Sequence, residues 1–177
     1  MQNWKDLYTE LADLISQEVP AVRWVDMWHN QVNFLEEEHP FPTPAVFLGF
    51  HILSTQDKGV KVQQLQLQVD AYLYFETFAD TYRGSWNQDS ALGFLELLND
   101  VYAVLHGSSG ENYSEMRRIG FAPVYTGGAG NLYQQSFACI LVDYAAQKQY
   151  ADGAVGGVEV LNEKGPEAEA PEPFFRV

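Results

Sequence analysis

A single cysteine, Cys139, occurs among 177 residues, which excludes an intrachain disulfide and a multi-cysteine zinc site and fits a reducing compartment. Cationic side chains are scarce. Ten Lys and Arg stand against 24 Asp and Glu, a formal charge of −14 at a sequence pI near 4.4, which disfavours binding that tracks nucleic-acid phosphates. No apolar run approaches the ~20 residues of a membrane helix, and the opening residues carry Lys5 but no basic patch before an apolar stretch, so neither a membrane span nor a signal peptide is expected. Internal repeats and a Gly-x-Ser-x-Gly nucleophile elbow are also missing. What is abundant is apolar surface. Hydrophobic residues make up 46%, with 4 Trp, 10 Tyr and 11 Phe, enough to fold one domain of the usual size and to exclude global disorder.

Trp4, Leu7, Tyr8, Leu11, Leu14 and Ile15 recur at helical spacing, which predicts a helix over 2–18 that Pro20 stops. A short strand is expected over 21–28, a solvated connection over 36–42, a buried strand over 45–54 and a turn at 56–59. The clearest pattern follows. Leu65, Leu67, Val69, Ala71, Leu73 and Phe75 alternate with Gln64, Gln66, Gln68, Asp70, Tyr72, Tyr74 and Glu76, a period of two with one buried and one polar face. Val60 and Val62 sit on the other parity, so a β-bulge is expected near Gln63 and Gln64 in a strand long enough to project beyond the core. The Leu92 to Leu105 stripe predicts a second helix, capped by Asn87 or Asp89 and ended by Gly107. Strands over 116–125 and 132–144, the latter apolar on both parities as a strand covered on both sides would be, flank a glycine-rich turn at 126–131.

The expected fold is α+β, a mostly antiparallel sheet with two amphipathic helices on one face and a long β-hairpin arm. Residues 1–149 form its single domain. Residues 150–177, with six acidic and two basic side chains and an apolar tip at Phe174 and Phe175, form an acidic tail that is flexible or ordered by a partner.

Catalytic and metal chemistry finds no motif. His29 and His39 bracket Glu36, Glu37 and Glu38, but no rigid ligand spacing joins them, and a solvated loop is the simpler reading. His51 and His106 belong to no motif. Cys139 lies among apolar neighbours without an activating cation. Gly127, Gly128 and Gly130 precede a strand rather than a helix, so they fit a hairpin turn better than a phosphate loop. No catalytic residue, cofactor or metal is assigned. Contact surfaces are more promising: Gln66, Gln68, Tyr72 and Tyr74 on the polar face of the long strand, Arg83 near Trp86 in a loop, and the doublet Arg117 and Arg118. A solvated sheet face and an ordinary surface loop are the plain alternatives.

The segments Lys5-Asp-Leu-Tyr, Leu11-Ala-Asp-Leu-Ile, Val19-Pro20, Arg23-Trp24-Val25-Asp26 with Trp28 and Gln31, and Phe41-Pro-Thr-Pro-Ala-Val-Phe carry a resemblance. Over about residues 1–145 the chain resembles the tail-terminator or tail-completion proteins of phages and prophages of Bacteroides-type bacteria. The resemblance implies a non-enzymatic virion subunit that forms a ring, often of six copies, on the end of the tail tube. Its implied partners are further copies of itself, the tail tube protein and the head-tail connector, with DNA passing through the lumen without specific binding and no membrane. The implied location is the tail or neck of the virion, and the host cytoplasm during assembly. The acidic segment beyond Tyr150 departs from the family pattern. Another neck component and a cytoplasmic α+β adaptor for a basic protein partner are the rival expectations, with a metal enzyme using His29, Glu37 and His39 behind them.

Overall fold

In a computed structural model the described residues are 3–35, 40–76, 79–126 and 130–147. The order is α1 (Asn3–Glu18), β1 (Trp24–Met27), a 3-10 turn (Gln31–Phe34), β2 (Ala45–Gly59), β3 (Val62–Phe75), α2 (Gln88–Leu105), β4 (Arg117–Val124) and β5 (Asn131–Asp143). The strands form one sheet in the order β1-β2-β3-β5-β4. All neighbours are antiparallel except β1 and β2, which run parallel, with Trp24 beside Ala45 and Met27 beside Leu48. The α+β class and the mostly antiparallel sheet follow the sequence. The parallel pair does not come from a short turn, since 17 residues separate its strands in sequence. The expected tail at 150–177 lies outside the described residues.

Both helices cover one face of the sheet. Leu7, Leu11 and Ile15 of α1 and Phe94, Leu98, Val101 and Leu105 of α2 pack with Val46, Leu48, Leu67, Val69, Leu73 and Phe137 of the strands, all essentially buried. Each such side chain contributes about 1.5–3 kcal/mol by leaving water. Helix α2 begins at the expected Asn87, but the Asn87 side chain makes no capping bond. Its Oδ1 faces the preceding loop instead, accepting from the Asp80 amide at 3.3 Å and pairing with the Ser85 hydroxyl. The helix ends as expected, with Gly107 at a φ of +82° and its amide donating to the Met116 carbonyl. Glu10 of α1 ties down the next loop, accepting from the amides of Glu111 at 2.8 Å and Asn112 at 3.2 Å.

Three boundaries differ from expectation. Strand β2 does not stop at Ser54 but runs to Gly59, so the turn is at Val60 and Lys61 rather than 56–59. The register shifts fall between Ile52 and Ser54 and between Asp57 and Gly59, so the extra residues, Leu53 and Lys58, belong to β2 and not to β3 near Gln63. Val60 is off parity because it is in the turn. Strand β5 is paired along both edges and covered on both faces only in part: Phe137 and Cys139 are buried on the helix side and Leu132 enters the second core on the other, where Ile140 is exposed.

Candidate functional site

The face turned away from the helices changes character along its length. At the end where β2 begins, Trp24, Trp28 and Phe41 come over Phe47, Tyr72 and Tyr74 to form a second, smaller core. Trp28 stacks on Tyr72 with centroids 4.2 Å apart and planes at 14°, and Phe41 meets Phe47 edge-on at 5.1 Å. Gly130, at a φ of +121°, lies against the Tyr74 ring, where a Cβ would come within 2.7 Å of it. Burial pushes the Tyr72 and Tyr74 hydroxyls above their ordinary pKa, with smaller contributions from Asp70 and Glu76 respectively. The expectation that these tyrosines offer an outward contact surface is therefore corrected: the chain itself covers them, Tyr74 to 1% exposure.

In the middle of this face, Asp70 is 1% exposed yet fully engaged. Its carboxylate accepts from Gln68 Nε2 at 2.9 Å and from the Ser136 hydroxyl at 2.5 Å, and lies 3.2 Å from Nε2 of the exposed His51. Serine, aspartate and histidine thus meet, but not in the order of a serine–histidine–aspartate triad. In a triad the imidazole accepts the serine proton, whereas here the serine donates to the aspartate and the imidazole is on the carboxylate's other oxygen. The group is a polar clamp joining β2, β3 and β5.

Beyond it the face opens. A groove of about 540 Å³ is lined by Ser54, Gln56, Gln64, Gln66, Ser114 and Arg117, among others. Gln66 accepts from the Ser54 hydroxyl at 3.1 Å. The structure therefore brings together three of the nominated residues, Gln66 and Arg117 in the groove and Gln68 beside it on the clamp. Arg118 points to the other face, its guanidinium 3.7 Å from the centroid of the Tyr102 ring and bonded to Gln135 at 3.3 Å, so the arginine doublet is split between the two faces. Arg83 and Trp86 lie apart in the loop before α2, where Trp86 is 92% exposed and Tyr82 65%.

From His51 to Lys61 every residue is exposed, including Ile52, Leu53 and Val60. This is the expected arm, though β5 accompanies it as far as the pair Gln63 and Asp143. The outer edges of the sheet are blunted. Strand β1 has four residues, and β4 has a bulge at Ile119, a proline at 123 and the Arg118 amide capped by Nδ1 of His106 at 3.1 Å. Where β5 outruns β4, Ser114 closes its edge by donating its amide to the Ile140 carbonyl and accepting from the Ile140 amide, both at 2.8 Å.

Among the described residues no three His, Cys, Asp or Glu side chains are placed to hold a metal, and no helix is long and apolar enough to cross a membrane. Glu36, Glu37, Glu38 and His39 lie outside the described residues. Burial raises the Cys139 thiol to about 11. His51, Asp70 and Ser136 were not singled out from the sequence, because Asp70 occupies the polar parity of its strand and looks like any solvated residue there. No family model matches the chain, and no curated protein does.

Proposed function

We propose that the protein is a non-enzymatic phage structural subunit that forms a ring on the end of the tail tube, stops its polymerisation and presents the surface that joins the head. The observation that carries this reading is the three-stranded arm. A sheet that continues past its helical cover, with exposed apolar residues at Ile52, Leu53 and Val60, has surface suited to a neighbouring subunit. The sequence resemblance to tail terminators supplies the direction, and the α+β fold with two helices on one sheet face is compatible with it. The clamp around Asp70 fits a structural role better than a catalytic one, since it spans three strands and its serine is bonded to the carboxylate and not to the imidazole. In this reading the tube protein and the head connector meet opposite ends of the ring, and an acidic subunit lets DNA slide through without gripping its phosphates.

Electron microscopy of particles assembled without this gene tests the proposal. Tails longer than wild type and lacking heads are the expected result. Tails of normal length that fail to join heads would reassign the protein to another neck position. Intact infectious particles would sink the assembly role and favour an adaptor.

A further inference from the structure

Charge is unevenly spread between the arm tip, which holds most of the described lysines, and α2, whose charged side chains are all acidic. Of the three lysines among the described residues, two are at the arm's tip, Lys58 just before the turn and Lys61 within it, with Val60 between them 87% exposed. Asp57, a carboxylate that accepts from Gln63 Nε2 at 3.0 Å, and Asp143, paired with Gln63, lie near the same end, so the tip carries both signs while α2 carries one. Lys61 adopts a φ of +61°, as one residue of a tight two-residue turn does. Helix α2, by contrast, has no Lys or Arg along 18 residues. Its Asp89, Glu96 and Asp100 are all exposed and are spaced seven and four residues apart, which places them along one stripe of the helix. Leu95, 41% exposed, flanks that stripe. Like charges at Glu96 and Asp100, one turn apart, repel each other in the isolated chain, a cost that an incoming ammonium group removes.

We infer that the arm of one copy docks on α2 of the next, with Val60 set against Leu95 and with Lys58 and Lys61 against Glu96 and Asp100. The inference rests on the ring reading and gives it a specific contact. A subunit of net charge −14 associates with itself only where local charges compensate, and the arm tip meeting α2 is such a place. Strand addition is the other way sheets join, and this sheet resists it: β1 is short, β4 is capped and broken, and the free edge of β2 is bulged at Leu53 and Lys58. The tip stands roughly 20 Å beyond Ile52 at ~3.3 Å per residue, enough to cross a subunit boundary. Arm and helix are different surfaces, so the contact is head-to-tail, and repetition of it closes a ring when the rotation allows.

Charge reversal with rescue tests this on the full chain. Lys58→Glu with Lys61→Glu should weaken self-association by about tenfold or more in sedimentation velocity at low salt, and Glu96→Lys with Asp100→Lys should do the same. All four changes in one chain should restore it. All four side chains are exposed, so melting curves should stay close to wild type and separate lost contact from lost fold. An oligomer indifferent to both reversals, or one that the fourfold variant fails to restore, overturns the arm contact and leaves the ring reading standing. A closed two-copy species with the expected charge dependence supports the contact and overturns the ring. A wild-type chain that stays monomeric at every concentration overturns both.

Discussion

The two faces of β3 are made by one alternation and meet opposite fates. On the helix side Leu67, Val69, Ala71 and Leu73 enter a continuous apolar core supplied by both helices. On the other side Gln66, Gln68, Asp70, Tyr72 and Tyr74 pass from open groove to polar clamp to aromatic cluster within nine residues. The lesson is that burial on the second face is decided by what arrives from elsewhere. Trp28 and Phe41 cover the tyrosines, while nothing from the described residues lies over Gln66.

Large-to-small changes in each core are expected to have the largest effects. Phe137→Ala on the helix side should cost about 3–5 kcal/mol, and Tyr74→Ala on the other face about the same, because both rings are fully enclosed. Urea midpoints measure both. If Tyr74→Ala shifts the midpoint only slightly, the second cluster is a loosely seated cover and not a core. Asp70→Ala comes next, at about 1–3 kcal/mol, since it strands the donors of Gln68 and Ser136 together. A mutant as stable as wild type would show that the clamp is replaced by water without loss.

A smaller effect belongs to Cys139. Its folded-state value of about 11 lies above the ordinary 9.0, so the native state holds the thiol proton more firmly than the unfolded chain does. The associated stability is complete below about pH 9 and is lost as pH rises through about 11. Native protein at pH 8 should resist iodoacetamide and react after unfolding; rapid alkylation of the native chain would show that the helix-side core opens readily. The smallest change is expected on the arm, where Ile52→Ser or Gln66→Ala should alter stability by less than about 0.5 kcal/mol, both residues being exposed. A larger loss in the isolated chain would mean that the arm is part of the folding unit.

Local periodicity made the elements legible. The stripe from Leu7 to Ile15 set α1, the alternation from Gln64 to Phe75 set β3, and Gly107 marked the end of α2. Contacts between distant segments were not legible in the same way. Tyr72 and Tyr74 occupy polar-face positions, and only the arrival of Trp28 and Phe41 over the sheet decides that they are buried. The parallel register of β1, the two bulges of β2 and the split of Arg117 from Arg118 likewise depend on neighbouring strands. Of the nominated surface, Gln66, Gln68 and Arg117 do converge. Ser136 joins Asp70 from 66 positions away, a distance over which a single sequence has no periodic signal.

That separation also bears on the order in which the molecule assembles in time. Strands β2 and β3 are joined by a two-residue turn and can zip within microseconds, whereas β5 reaches β3 only after α2 and β4 have been accommodated in a long closing loop. The β2–β3 hairpin is thus expected to be formed in the transition state, and the seam between β3 and β5 to close after it. Substitutions in the turn at Val60 and Lys61 should slow refolding, while those at Ser136 should chiefly speed unfolding.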